Sequence, residues 1–211
     1  MPDNFYERYW KGREGPLGDF ALKWPRLARS VPRERGITIL DFGCGDGTLI
    51  GEMKKLNPGA RFVGLDVSAS ALGVARARHP DVVFHHIQDG DPFPIPDGSV
   101  DFLFTSEVIE HVYDTENAAR EVARVLRPGG TLLLTTPYHG FLKNLAIVLF
   151  GFDRHFDPTG PHVRFFSKRS LSRLLERQGM WVVGYDYYGR VYPFSHSIVV
   201  HARKGRPTEE C

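Results

Sequence analysis

From residue 37 onward the apolar residues fall in short unbroken runs, and between the runs they recur at three- and four-residue spacing. Unbroken runs are what strands covered on both faces require, and the spaced segments are what crossover helices require. The pattern predicts strands over 37–42, 61–66, 82–87, 101–106 and 130–136, with helices over 48–56, 68–78 and 115–126. Such alternation is the signature of an α/β fold, doubly wound around a mainly parallel sheet. Ser68 stands between a strand and an Ala-rich run, where its hydroxyl can accept an orphan N–H of the first helical turn. Pro128, Gly129 and Gly130 end the third helix and open the next strand.

Past Thr136 the rhythm breaks. Residues 137–161 form an insertion rich in aromatics and glycine, longer than a passive connection needs to be. A helix over 168–178 follows, with Gly179 at its C′ position, and two β-type runs, 181–188 and 197–203, are spaced to pair as a hairpin. That pairing predicts an antiparallel strand at one edge of the sheet. The first 36 residues read as a helical layer, marked by Phe5, Tyr6, Tyr9 and Trp10 and packed over the sheet's active edge. The whole is expected to be one domain over 1–211, with the N-terminal layer at 1–36 and an insertion or substrate lid at 137–166.

Composition narrows the class. The chain has 211 residues, 42% hydrophobic and 25% charged, which fits a globular domain with one sizeable core. A net charge of +2 is too small to imply a polyanionic partner, so nucleic acid is not expected. Cys44 lies in a glycine-rich loop and Cys211 is the last residue, so no disulfide framework is expected and a reducing, cytoplasmic setting fits. Residues 1–10 carry no apolar signal core. The longest apolar run, 145–152, falls far short of the roughly 20 residues needed to span a bilayer.

The chemistry concentrates at strand ends. Ile39-Leu40-Asp41-Phe42-Gly43-Cys44-Gly45-Asp46-Gly47 runs a buried strand into three alternate glycines and then a helix. Glycine serves where backbone turns through positive φ or where a ligand nears the main chain. In an open α/β sheet this first turn lies where ligands bind. The spacing is Gly-x-Gly-x-Gly, not the Gly-x-Gly-x-x-Gly of dinucleotide sites, which disfavours a nicotinamide oxidoreductase. Asp66 ends the second strand, where a carboxylate can accept from two ribose hydroxyls or cap the next helix. Asp89-Gly90 follows the third strand, where a carboxylate can accept from an adenine amino group; Asp91 is its rival.

Together with Gly64-Leu65-Asp66-Val67-Ser68, Pro96-Asp97-Gly98-Ser99-Val100-Asp101, Ser106-Glu107-Val108-Ile109-Glu110-His111-Val112 and Leu126-Arg127-Pro128-Gly129-Gly130-Thr131, these motifs resemble class I S-adenosylmethionine-dependent methyltransferases. Within that class the sequence looks most like the ubiquinone-biosynthesis O-methyltransferase branch. The likeness implies a seven-stranded sheet in order 3-2-1-4-5-7-6 with strand 7 antiparallel. It implies that Gly43, Gly45 and Gly47 line the methionine part of S-adenosyl-L-methionine. Asp66 would hold the ribose, Asp89 and Gly90 the adenine, and Ser106 with Glu107 the region near the sulfonium. Asp41 and Val67, beside these positions, belong to the same expected cofactor-binding set.

A helix beginning at the fourth strand's end would place Glu107, Glu110 and His111 on one face, where they could hold a divalent metal such as Mg²⁺. Both the ubiquinone-pathway enzymes and the 3′-end small-RNA methyltransferases resemble the sequence at this Glu-x-x-Glu-His group. The latter carry a further downstream histidine that His162 matches. Against a metal, the two glutamates could simply favour a helix N-terminus while His111 packs or acts as a base. Of His139, His155 and His162 around the insertion, His162 matches the family pattern best, and His162 and His111 are the general-base candidates.

Residues 141–152 are too apolar for a free loop. They predict a lid over an apolar acceptor and a peripheral membrane contact supported by Arg164, Lys168, Arg169, Arg173 and Arg177, or else a short helix docked on the core. The leading reading is methyl transfer to a small-molecule acceptor, at a hydroxyl oxygen. RNA methylation and cofactor binding without catalysis are the alternatives; a near-neutral charge and the absence of a basic domain weigh against RNA.

Overall fold

Seven strands form one sheet in the order β3-β2-β1-β4-β5-β7-β6, in a computed structural model that describes Glu7, Trp10 and residues 20–205. The strands are β1 Thr38–Phe42, β2 Arg61–Asp66, β3 Val83–His86, β4 Val100–Ser106, β5 Leu126–Pro137, β6 Met180–Tyr188 and β7 Ser197–Lys204. The helices are α1 Phe20–Leu27, α2 Thr48–Leu56, α3 Ala69–Arg78, α4 Thr115–Val125, α5 Phe141–Phe150, α6 Phe152–His155 and α7 Lys168–Glu176. β1 to β5 pair in parallel, and β7 runs antiparallel to both its neighbours. The antiparallel strand therefore lies one place in from the edge, which β6 occupies. The chain reaches β6 by the crossover through α7, and β7 then folds back into the gap beside β5.

Side chains of each central strand alternate between two cores. Ile39 packs with Leu27, Ile50, Met53 and Leu72, from α1, α2 and α3, while Leu40 packs with Val122, Leu171 and Leu175, from α4 and α7. Fully burying each such side chain is worth roughly 1.5–3 kcal/mol, so the sheet's position is fixed from both faces. Ser68 caps α3 by accepting from the Ala71 N–H at 3.2 Å, and Asp114 caps α4 by accepting from Asn117 at 2.9 Å.

Most element boundaries fall within a residue of those expected, and three differ by more or in kind. β5 begins at Leu126, opposite Val100, and a register shift absorbs Pro128 and Gly129, so the strand starts four residues before the expected 130. α7 stops at Glu176, and Gly179 turns with φ 71°. The insertion holds two helices rather than irregular chain, and α5 buries none of its residues. Glu7 and Trp10 are helical, whereas Phe5, Tyr6, Tyr9 and Cys211 lie outside the described residues. No helix among those described is long and apolar enough to cross a membrane.

Candidate active site

The first turn is tied to the second strand. The N–H groups of Gly43 and Cys44 donate to the Leu65 carbonyl at 2.8 and 3.0 Å, and Gly45 N–H donates to Asp66 Oδ2 at 2.8 Å. Gly43 and Gly45 have φ of 80° and 52°, and a Cβ on either would lie 2.2 Å from Val108 Cγ2 or 2.6 Å from the Trp10 ring. Only glycine turns there and lets the Val108 side chain and the Trp10 ring lie against the main chain. Gly47 is the N-cap of α2. Asp66 Oδ1 accepts from Ser68 N–H at 2.8 Å, so each oxygen holds one backbone amide and keeps a second lone pair. The helix cap is Ser68 itself, and Asp66 is the strut beneath the loop.

Glu7 reaches the same edge, its carboxylate accepting from Ala69 N–H at 2.6 Å and from the Ser70 hydroxyl. That hydroxyl, more than any other contact, holds the Glu7 carboxyl below its ordinary range. Trp10 lies over Gly45, so the two described residues of the expected N-terminal layer, Glu7 and Trp10, both touch this edge.

Asp41 is buried behind the loop, with no hydrogen bond to Oδ2. Burial, and then the nearby Asp66, push its carboxyl up to about 8, against the pull of Lys23. Lys23 is 0% exposed, on α1, and its charge also acts on Glu110. Sequence reasoning missed this lysine. The available signal was its spacing: Lys23 stands four residues before the buried Leu27 and so shares its inward face.

Asp89 Oδ2 accepts from Tyr113 N–H at 2.9 Å and the Gly90 carbonyl accepts from Asn117, so the turn after β3 is fastened to the start of α4. Its rival Asp91 caps its own turn through Gln88 N–H. The Val67 carbonyl meets His86 Nε2 at 3.0 Å. Ser106, at the tip of β4, is buried with its hydroxyl 3.0 Å from that of Thr135.

Glu107 departs from expectation. It has φ 57°, and it is the one non-glycine residue with positive φ among those described. Such a residue costs on the order of 1–3 kcal/mol and needs its surroundings to hold it. Its N–H donates to the Thr135 carbonyl at 3.0 Å, and its Oε1 accepts from Thr135 Oγ1 and Tyr188 OH, each at 2.8 Å. The left-handed turn stops any α-helix from starting there. A 3₁₀ turn over Ile109–His111 takes its place, so the one-face i, i+3, i+4 arrangement is not formed.

The turn brings a different trio together. Glu110 is 1% exposed; its Oε2 accepts from Thr136 Oγ1 at 3.0 Å and its Oε1 has no hydrogen-bond partner. The Glu110 carbonyl accepts from the N–H groups of Val163 and Arg164, both at 3.0 Å, which fixes the end of the insertion over β4. His111 Nδ1 donates to the Pro161 carbonyl at 3.0 Å, and the His111 and His162 rings lie 4.9 Å apart. Ligand atoms of Glu110, His111 and His162 all fall within 4.8 Å of one another. Glu107 stands outside that trio. Burial, then the charge of Glu107, raise the Glu110 carboxyl well above its ordinary range. Burial lowers His111, and burial with His111 pushes His162 down to about 4. His139 and His155 pack instead in an aromatic cluster with Phe156 and Phe165.

Comparison with known proteins gives the family of the chain. Residues 9–184 match a family described as a methyltransferase domain. A probable S-adenosylmethionine-dependent methyltransferase of Mycolicibacterium smegmatis is 34% identical over 185 residues, covering 86% of this chain and 63% of its own length. The chain thus spans less than two-thirds of that relative. A ubiquinone biosynthesis O-methyltransferase of Aromatoleum aromaticum is 29% identical, covering 80% of this chain and 78% of its own. The crystal structure of an S-adenosylmethionine-dependent methyltransferase from Aquifex aeolicus superposes with TM-score 0.72 at 18% identity, over 95% of this chain and 99% of that one.

Proposed function

The chain belongs to the class I S-adenosylmethionine-dependent methyltransferases, and from that premise we propose that it moves the cofactor's methyl group to a hydroxyl oxygen of a small-molecule acceptor. The observation that carries the oxygen acceptor is the meeting of Glu110, His111 and His162 past the end of β4, beside the glycine loop. When bound, S-adenosylmethionine supplies a methyl group already activated on a sulfonium, so the protein's task is alignment and removal of one proton. The turn fits it, because its backbone bends through positive φ at Gly43, Gly45 and Gly47 and Asp66 stands beside it with each oxygen committed to one backbone amide.

In this reading Gly43, Gly45 and Gly47 face the methionine portion and Lys23 supplies the charge opposite its carboxylate. The open lone pairs of Asp66 take ribose hydroxyls, Asp89 and Gly90 take the adenine, and Asp41, Val67, Ser106 and Glu107 complete the wall. His162 or His111, kept neutral by burial, accepts the acceptor's proton. The same pair with Glu110 would hold a divalent metal, for which the buried Glu110 Oε1, which accepts no hydrogen bond and lies 3.9 Å from His111 Nε2, and two neutral imidazoles are a fitting donor set. A metal there would lower the pKa of the acceptor hydroxyl and relieve the buried carboxyl.

The reading is tested by incubating the protein with S-adenosylmethionine and a catechol panel and identifying the methylated product. A methyl ether alongside S-adenosylhomocysteine is expected; methylation at nitrogen or carbon alone overturns the oxygen acceptor.

α5 is proposed to be the lid over an apolar acceptor and a peripheral membrane contact, since Leu145 and Leu149 stand on one helical face and are 44% and 62% exposed. An exposed apolar face of this kind marks a partner surface. Co-sedimentation with anionic vesicles should fall several-fold in a Leu145→Asp, Leu149→Asp variant. Equal partitioning of both proteins to the supernatant would leave the lid alone.

A further inference from the structure

The turn after β4 and the end of the insertion meet at one exposed ring. Tyr113 is 74% exposed, yet both of its main-chain polar groups are committed. Its N–H donates to Asp89 Oδ2 at 2.9 Å, and its carbonyl accepts from Arg164 Nη2 at 2.7 Å. Arg164 is itself anchored through its N–H on the Glu110 carbonyl at 3.0 Å, so its side chain runs along the turn from Glu110 to Tyr113. The guanidinium carbon then lies 5.5 Å from the centroid of the Tyr113 ring, within the range of a cation–π contact.

An exposed tyrosine alone is ordinary. This one is fixed in place. Its main chain is bonded to the carboxylate assigned to the adenine, and Asn117 Nδ2 donates to the neighbouring Gly90 carbonyl at 3.1 Å. The ring therefore stands beside the turn after β3. Among the described residues Arg164 has no carboxylate partner, and its side chain bonds only the carbonyls of Val163 and Tyr113. Its charge is directed to the ring, whose remaining surface is left to solvent. A flat aromatic surface beside a hydrogen-bond acceptor is what a purine needs, the one for its face and the other for its amino edge. Asp89 meets the second need: its Oδ2 holds Tyr113, and among the described residues nothing bonds its Oδ1. A cation–π pair serving the surface alone would give no reason for the main chain of the ring to be tied to Asp89.

We propose that the Tyr113 ring is the stacking face for the adenine of S-adenosylmethionine, and that Arg164 is the positioning residue that holds the ring. The proposal rests on the assignment of Asp89 and Gly90 to the adenine and adds the surface on which the base lies.

Calorimetric titration of S-adenosylhomocysteine, and of its hypoxanthine analogue S-inosylhomocysteine, tests it without turnover. Tyr113→Ala keeps the backbone N–H on Asp89 and the carbonyl on Arg164, so it removes the ring alone. It is expected to weaken both ligands alike by about tenfold or more, the scale of one base–aromatic stack. Tyr113→Phe should bind within about threefold of the parent protein, and melts of both variants should match the parent because the ring is exposed. Arg164→Met should weaken S-adenosylhomocysteine about threefold in the parent background and have no effect in Tyr113→Ala, as a residue acting through the ring must. Absence of heat with S-adenosylhomocysteine in the parent protein would remove the cofactor assignment itself. Where the parent binds, a Tyr113→Ala affinity within about threefold of it would overturn the stacking face alone, as would a loss confined to the adenine ligand. An Arg164→Met loss of equal size in both backgrounds would overturn the role of Arg164.

Discussion

Asp66→Ala is expected to weaken binding of S-adenosylhomocysteine by about a hundredfold or more and to destabilise the empty protein as well. The first effect follows from position. Asp66 closes β2 directly beside the glycine turn, and its carboxylate holds Gly45 N–H and Ser68 N–H at 2.8 Å each. Alanine removes both acceptors, so the turn loses the strut that sets its height above β1, and a ribose loses its carboxylate. The second effect follows from burial. Each stranded amide costs about 1–3 kcal/mol, against a typical total stability of about 5–15 kcal/mol. Relief of a buried charge offsets part of this, since burial raises the Asp66 carboxyl above its ordinary range.

Asp66→Asn separates the two effects. The amide oxygen can still accept one backbone N–H, while its NH₂ meets the other donor head-on. Stability should therefore fall less than in the alanine variant, and affinity by about tenfold. Calorimetry of ligand binding and a thermal melt on the same samples give both quantities. An alanine variant that binds S-adenosylhomocysteine within about threefold of the parent protein would remove Asp66 from the cofactor site.

The sequence showed the sheet because its strands are local objects. Residues 61–66 form β2 with the bounds the apolar pattern predicts, and Thr48–Leu56 forms α2 likewise. The start of β5 was hidden, because Leu126 joins β4 through a register shift that Pro128 and Gly129 make possible and that no periodicity announces. The order of the strands came from resemblance, since pairing is a contact between distant segments.

The site divides along the same line. The three glycines are legible because their positive φ belongs to one strand-to-helix turn, and Asp66 because it ends a strand that the apolar pattern marks. The fate of Glu107 was not, since its left-handed backbone is imposed by Thr135 and Tyr188, which arrive 28 and 81 residues later. His162 reaches Glu110 only because Val163 and Arg164 bond the Glu110 carbonyl. Lys23 went unmarked, because its burial depends on what packs against its helix.

Glu110→Gln is the variant that decides the chemistry at this junction. The amide keeps the size of the carboxyl and its contact with Thr136 Oγ1 but removes the anionic ligand. In the metal-free protein the exchange should be neutral or mildly stabilising, because Oε1 of Glu110 is buried without a hydrogen-bond partner. With a divalent ion present the order should reverse. An ion at 100 times its dissociation constant stabilises the folded parent protein by about 2.7 kcal/mol, and the glutamine variant should lose most of that gain. Methyl transfer should fall about a hundredfold or more, while S-adenosylhomocysteine binding stays within about threefold, since the glycine turn and Asp66 are untouched. Thermal melts with and without Mn²⁺, Mg²⁺ and Zn²⁺, paired with assays after exhaustive chelation and metal return, measure each part. Glu107→Gln is the companion control. It removes a carboxylate from the same turn but not from the trio of ligand atoms, so it should spare the metal-dependent rise in melting temperature. Full activity after chelation, or an equal metal shift in parent and Glu110→Gln proteins, would leave His162 and His111 as proton acceptors acting without an ion.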